Sequence, residues 1–188
     1  MATSGAIKVL GFSGSLRAGS FNSSALRTAQ EHAPTGLTIE TFDLAPIPLY
    51  NEDVYAKGFP PPVVDFRAKI KAADALLICS PEYNYSTSGV LKNAIDWASR
   101  PPDQPFDGKP IALLSASPSF TGGARAQYHL RQIFVYLNPF ILNRPEVMIS
   151  AAHTKFDQSG KLTDDKVRDQ IRALLDGLMA LTRRLRGN

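Results

Sequence analysis

Three hydroxyls and one cation share a short run near the start of the chain: Ser13-Gly14-Ser15-Leu16-Arg17-Ala18-Gly19-Ser20. A guanidinium among small hydroxylated residues is suited to an anion, since Arg17 and the serines can all bond oxyanion oxygens. Asn22 stands where a helix N-cap belongs, ahead of the helix-favouring run Ser24 to Ala29. A helix start adds free backbone N–H groups and the positive end of the helix dipole. The same residues also suit an ordinary turn between a strand and a capped helix.

A second cluster, Pro81-Glu82-Tyr83-Asn84-Tyr85, combines a rigid turn residue, an acceptor, two rings and an amide. A flat heterocycle needs such a wall, with amides for its polar edge and rings for its faces. An aromatic turn packed on a neighbouring subunit would have the same composition.

The elements that must position these clusters alternate between strand and helix, which predicts an α/β domain with a parallel sheet. The apolar run Ile7 to Phe12 reads as the first strand, Leu37 to Phe42 as the second and Ala75 to Cys79 as the third. Lys109 to Ser117 reads as the fourth, with a fifth inside Phe140 to Ile149 that Pro145 interrupts. Helices are expected over Ser23 to His32, Val63 to Ala72, Val90 to Ser99, the residues after Gly122-Gly123, and Thr163 to Leu185. Leu44 to Pro62 is a long, Pro-rich loop without helical periodicity. Residues 1–188 read as one domain with a loose start at Met1 to Gly5. Five strands predict the order 2-1-3-4-5, which reverses direction between the first and third. Ligands sit at such reversals, and both unusual clusters follow those two strands.

The 188 residues carry a net charge of +4, spread along the chain apart from Arg183, Arg184 and Arg186. That balance suits anionic substrates by steering and gives little reason to expect nucleic-acid binding. No apolar run is long enough to span a bilayer, and no signal peptide is visible. One cysteine, Cys79, fits a reducing, cytoplasmic setting. Three scattered histidines lack metal-ligand spacing. Competing phosphate motifs fail individually. Gly14 and Gly19 have the Walker spacing, but Ser20 stands where lysine is required. The dinucleotide fingerprint is misspaced, and Asp43 alone is a weak signal for it. The first loop holds neither the cysteine of a small phosphatase nor the acids of a receiver domain. A cradle for a phosphate that is held and not cleaved remains.

Three stretches then carry a family resemblance: Gly14 to Asn22, Pro46-Ile47-Pro48-Leu49-Tyr50-Asn51, and Pro81 to Ser86 with Gly89 to Trp97. They closely resemble the NADPH-dependent FMN reductase family, and within it the bacterial quinone and chromate reductases. The resemblance runs from about Ile7 to Ile149. It implies a flavodoxin-like three-layer sandwich, bound FMN, NADPH or NADH as co-substrate, and a homodimer or homotetramer. By it, Ser15, Leu16, Arg17, Ser20, Phe21 and Asn22 hold the FMN phosphate. Glu82, Tyr83, Asn84, Tyr85 and Ser117 line the isoalloxazine.

The implied chemistry passes hydride from NAD(P)H through the flavin to quinones, with chromate, other oxidised metal anions or azo compounds as alternative acceptors. The two substrates would use one flavin face in turn, and no catalytic side chain need be sought. Glu82 and Glu146 then read as ordinary solvated or interface groups, and Arg125 and Glu146 as candidates for polar contacts between subunits. Two departures from the family, Ser88 in place of a frequent proline and the Pro118-Ser119-Phe120-Thr121 loop, put acceptor preference in question. The alternative is a flavodoxin-type electron carrier without NAD(P)H activity, although such carriers are typically strongly acidic and this chain is basic.

Overall fold

Every residue of the central strand Ala75–Cys79 is buried, and its side chains divide between two separate cores. Ala75, Leu77 and Cys79 face one core, Leu76 and Ile78 the other, following the two-residue period of a strand. A strand covered on both faces belongs in a parallel sheet between helical layers. The computed structural model, which describes residues 5–187, has that architecture.

The strands are β1 (Ile7–Ser13), β2 (Leu37–Phe42), β3 (Ala75–Cys79), β4 (Pro110–Ala116), β5 (Phe140–Ile141) and β6 (Val147–Ile149). The helices are α1 (Phe21–Glu31), α2 (Glu52–Tyr55), α3 (Pro61–Ala72), α4 (Gly89–Ala98), α5 (Ala124–Phe134) and α6 (Asp165–Leu185), with a 3-10 turn at Ala152–Thr154. All strand pairs are parallel, and the path β2-β1-β3-β4-β5 is the predicted one. Helices α1 and α6 close one core through Leu26, Ile171 and Leu174; α3, α4 and α5 close the other through Phe66, Trp97 and Phe134. The result is a flavodoxin-like three-layer sandwich, whose direction change lies between β1 and β3.

Four details depart from the sequence expectation. The single fifth strand is two pieces: β5 pairs with Pro110 and Ile111, and β6 pairs with Leu114 to Ala116. Pro145, between them, has no N–H to offer a ladder. Helix α1 begins at Phe21, and Ser20, not Asn22, is its N-cap. Helix α3 begins two residues before Val63, with Pro61 in the first-turn position that prolines favour. The Leu44–Pro62 loop contains α2, capped where the Asn51 side chain accepts from Asp53 N at 2.8 Å. Four residues are too few to show a 3.6-residue period.

That loop is also held by its own chain. Trp97 Nε1 and Asn93 Nδ2 donate to Pro48 O at 2.8 and 2.9 Å, and Asn93 Oδ1 accepts from Tyr50 N at 2.8 Å. Tyr50 meets the Trp97 ring edge-on at 4.8 Å. Leu49 is left 85% exposed at the tip. The loose start expected for Met1 to Gly5 lies, except for Gly5, outside the described residues. No described helix is long and apolar enough to cross a membrane.

Candidate active site

The first loop leaves β1 and immediately meets a tight space. A Cβ on Gly14 would lie 2.7 Å from Ser88 Oγ and 2.9 Å from Leu91 Cβ, so only glycine lets the loop pass the start of α4. Ser15 N donates to Ser13 Oγ at 3.3 Å, and Ser20 N donates to Arg17 O at 3.0 Å, folding the loop back onto the helix. Ser20 Oγ accepts from Ser23 N at 3.2 Å as the cap. The N–H groups of Phe21 and Asn22, in the first turn of α1, have no intrahelical acceptor and face out of the helix end. No acidic residue occupies that turn. Leu16 and Arg17 are exposed, and among the described residues Arg17 has no acidic partner.

Asn22 does something the sequence did not suggest. Its side chain is buried, donating to Ala116 O at 2.9 Å and accepting from Ala116 N at 3.0 Å. This two-way bond pins the first turn of α1 to the end of β4, so only the backbone N–H of Asn22 is left for a ligand.

The second cluster folds into a two-residue turn. Tyr83 N donates to Ser86 O at 2.9 Å and Ser86 N to Tyr83 O at 3.0 Å. Asn84 and Tyr85 between them have φ of 48° and 69°. Both central residues of such a turn need positive φ, which asparagine tolerates and tyrosine does not favour. Tyr85 is held there from outside: the Arg125 guanidinium carbon lies 3.7 Å from its ring centroid. Beside it, His129 Nδ1 and Ser86 Oγ share a hydrogen bond of 2.9 Å.

Glu82 makes that arrangement possible and corrects its reading as a solvated or interface group. Its side chain is 8% exposed, lies 2.6 Å from Arg125 Nε, and accepts from Arg125 N at 3.1 Å. One carboxylate thus caps the start of α5 and aims Arg125 at Tyr85. Arg125 and Glu146, the two candidates for contacts between subunits, have partners within the chain: Arg125 pairs with Glu82, and Glu146 approaches Arg131 at 4.0 Å. Ser117 opens a hydroxyl chain to the same arginine. Its Oγ meets Ser119 Oγ at 3.2 Å, Ser119 meets Thr121 at 2.9 Å, and Arg125 Nη2 donates to Thr121 Oγ1 at 3.3 Å.

Ser88 joins the two clusters. It is 1% exposed, caps α4 by accepting from Leu91 N at 3.2 Å, and donates to Gly14 O at 2.7 Å. At the position where the family often carries proline, this chain therefore has a buried strut between the two loops. A serine just ahead of a helical run is a readable cap signal; its second bond, across the sheet to Gly14, has no sequence signature. The role of Arg125 has none either, because it depends on two loops meeting. Phe120, in the Pro118–Thr121 loop, is 90% exposed and belongs to neither core.

The arrangement therefore offers donors and an acid-free first turn of α1 after β1, and a braced aromatic turn at the end of β3. That set fits a flavin mononucleotide: a dianion for the helix start and a flat ring for the turn. Among the described residues no group of three or more His, Cys, Asp or Glu is placed to hold a metal ion. A cleft of about 560 Å³ between β2 and α3, lined by Lys8, Thr38, Glu40 and Lys69, contains no residue of either cluster.

Sandwich and site together define a flavodoxin-like, flavin-using oxidoreductase. The chain belongs to the NADPH-dependent FMN reductase family, whose model matches residues 7–154. FMN and NAD(P)H are the cofactor and reductant of that family's chemistry. The chain is 62% identical over 181 residues to an NAD(P)H-dependent FMN reductase of Pseudomonas aeruginosa, covering 96% of this chain and 98% of that protein. It is 45% identical over 168 residues to the quinone reductase of Escherichia coli, covering 88% and 89%. Among solved structures, the flavoenzyme NAD(P)H:(acceptor) oxidoreductase FerB of Paracoccus denitrificans superposes with a TM-score of 0.86 at 31% identity, covering 95% of this chain and 98% of that one. The chain is an enzyme of this family, and the electron-carrier alternative falls away.

Proposed function

We propose that the chain is an FMN-dependent NAD(P)H:quinone oxidoreductase acting as one flavin-binding unit. The observation that carries this reading is the pairing of an acid-free helix start with a braced aromatic turn, strutted together by Ser88. Proteins named quinone reductase and NAD(P)H:quinone oxidoreductase at 45% and 49% identity support the choice of quinone. Arg17, the hydroxyls of Ser15 and Ser20, and the N–H groups of Leu16, Phe21 and Asn22 hold the flavin phosphate. Tyr83, Asn84 and Tyr85 border the ring, Glu82 acts through Arg125 to fix that border, and Ser117 lies at the end of β4 beside it. FMN, when bound, supplies the chemistry of accepting hydride from NAD(P)H and delivering electrons to the acceptor. The protein's part is binding, orientation and an open approach past Tyr85, which is 68% exposed.

The same reading has the chain work in the cytoplasm as a homodimer or homotetramer. Tyr128, Val135, Tyr136 and Phe140, on and after α5, are large side chains left exposed, which supports self-association; light scattering that reports a monomer at working concentration removes it. NADPH-dependent turnover at several quinone concentrations tests the mechanism. Parallel double-reciprocal lines are expected, because both substrates use one shelf in turn. Intersecting lines with good turnover would remove the shared shelf, and no turnover would remove the enzyme reading. Chromate and an azo dye in the same assay test the wider acceptor range.

A further inference from the structure

We propose that the hairpin of residues 155–163, just ahead of α6, buttresses the first loop, and that Phe156 is a positioning residue that presents Arg17 to phosphate through Phe21. The proposal rests on the reading of the first loop as the flavin phosphate cradle. The hairpin lies just beyond the family-matched region, which ends at residue 154. It is built to be stiff. Phe156 and Leu162 face each other in an antiparallel bridge, and Thr163 N donates to Lys155 O at 2.9 Å. Asp157 Oδ1 accepts from Ser159 N at 2.8 Å, Ser159 Oγ at 2.6 Å and Lys161 N at 3.0 Å. Lys155 pairs at 2.5 Å with Asp164, the residue that caps α6, so the base of the hairpin is anchored to the longest helix.

The hairpin is also pressed against α1. Gly160 has φ of +78°, and a Cβ there would sit 2.6 Å from Ser24 Oγ and 2.9 Å from Arg27 Nη2. Next to that contact Phe156, 6% exposed, stacks on Phe21 with centroids 5.8 Å apart and planes 28° apart. Phe21 carries Arg17 in turn, whose Cζ lies 5.4 Å from the ring centroid. An exposed arginine loses rotamer freedom when it captures an anion. A guanidinium already resting on a ring has surrendered part of that freedom and keeps its N–H edges for oxygen. The buried ring of Phe156 fixes Phe21, and Phe21 fixes the guanidinium. The column Phe156–Phe21–Arg17 thereby links a segment beyond the end of the matched family model to the charge at the phosphate.

The test compares FMN with riboflavin, which has the same ring and no phosphate. Full-length chain stripped of flavin is titrated with each, following quenching of flavin fluorescence. Wild type is expected to bind FMN much more tightly than riboflavin. Phe156→Ala should weaken FMN about five- to tenfold, the scale of a lost aromatic pair, and riboflavin less than about twofold. Phe156→Tyr, which keeps the ring, should restore the preference. Phe156→Leu, which fills the space without a ring, gives the same reading if the alanine variant fails to fold. Equal weakening of both flavins in the leucine variant would mean general loosening and overturn the proposal, as would an unchanged FMN constant. A wild type without preference for FMN would instead remove the cradle reading itself, and the buttress with it.

Discussion

The first loop and the aromatic turn sit at the ends of neighbouring strands, yet they are built on opposite plans. Between Gly14 and Gly19 the chain makes few bonds to itself and leaves Leu16, Arg17, Ala18 and Gly19 exposed. Between Glu82 and Ser86 the turn is closed by paired backbone bonds of Tyr83 and Ser86, and Arg125 and His129 of α5 brace it through the buried Glu82 carboxylate, the Tyr85 ring and Ser86 Oγ. The difference follows from what each must meet. An anion is held by donors that remain unspent, so the loop that binds it has to leave its own N–H groups and cation unpaired. A ring is bordered by shape, and two positive-φ residues that include a tyrosine stay in place only when neighbours over-determine them.

The sharpest way to break this contrast is at the unspent cation. Arg17→Ala should lower FMN affinity roughly ten- to a hundredfold, since a hydrogen bond to a charged group is worth about 1.5–3 kcal/mol. Stability of the flavin-free chain should stay within about 0.5 kcal/mol, as for other exposed substitutions. A large loss of stability would show that the loop is not free after all. Denaturant unfolding alongside an FMN titration decides it.

Gly14 is where the two plans touch. Gly14→Ala puts a methyl against Ser88 Oγ and Leu91 Cβ, which belong to a helix start that cannot easily shift. Overpacking of this kind costs about 2 kcal/mol, and the bond from Ser88 to Gly14 O should be lost with it. The urea midpoint should fall clearly and FMN should bind more weakly. An unchanged midpoint would mean the loops are not strutted together. On the braced side, Glu82→Gln keeps the shape but removes the charge facing Arg125. A loss of about 1 kcal/mol is expected, with little change in riboflavin's relative affinity against FMN, because the phosphate end is untouched. A selective loss of FMN would put Glu82's influence at the wrong end of the site.

The contrast also explains what was legible beforehand. The strands are readable because β1, β3 and β4 are short apolar runs between turn residues, a local pattern, and their order follows from the strand–helix alternation of a five-stranded α/β domain. The first loop was readable for the same reason: its hydroxyls and cation are consecutive. Asn22 was misread as a cap because its true partners, the N–H and C=O of Ala116, are 94 positions away. Glu82 and Arg125 are 43 apart and become a pair only when the loop after β3 meets α5. The hairpin behind Phe21 was invisible too, since Phe156 and Leu162 give no alternating run. What the sequence hid was the bracing, which consists of long-range pairs, and what it displayed was the part left unbraced.

The smallest effect expected lies in the hairpin and is a matter of pH. Hydrogen bonds from Ser159 Oγ, then from Lys161 N, outweigh burial and lower the pKa of Asp157 from its ordinary value of 3.8. A depressed folded-state pKa means the ionised carboxylate favours the folded chain. That contribution is complete above the unfolded value, and it drains away as pH falls from there through the lower folded value. Asp157→Asn cannot ionise and lacks the contribution at every pH. The gap in thermal midpoint between wild type and Asp157→Asn should therefore be constant from pH 7 to about pH 5 and narrow on further acidification, in the region of an ordinary aspartate. The gap itself should be small, because the turn is exposed to solvent. A gap that widens in acid would place the charge of Asp157 against the fold, and the stiffness argued for the hairpin would need another source.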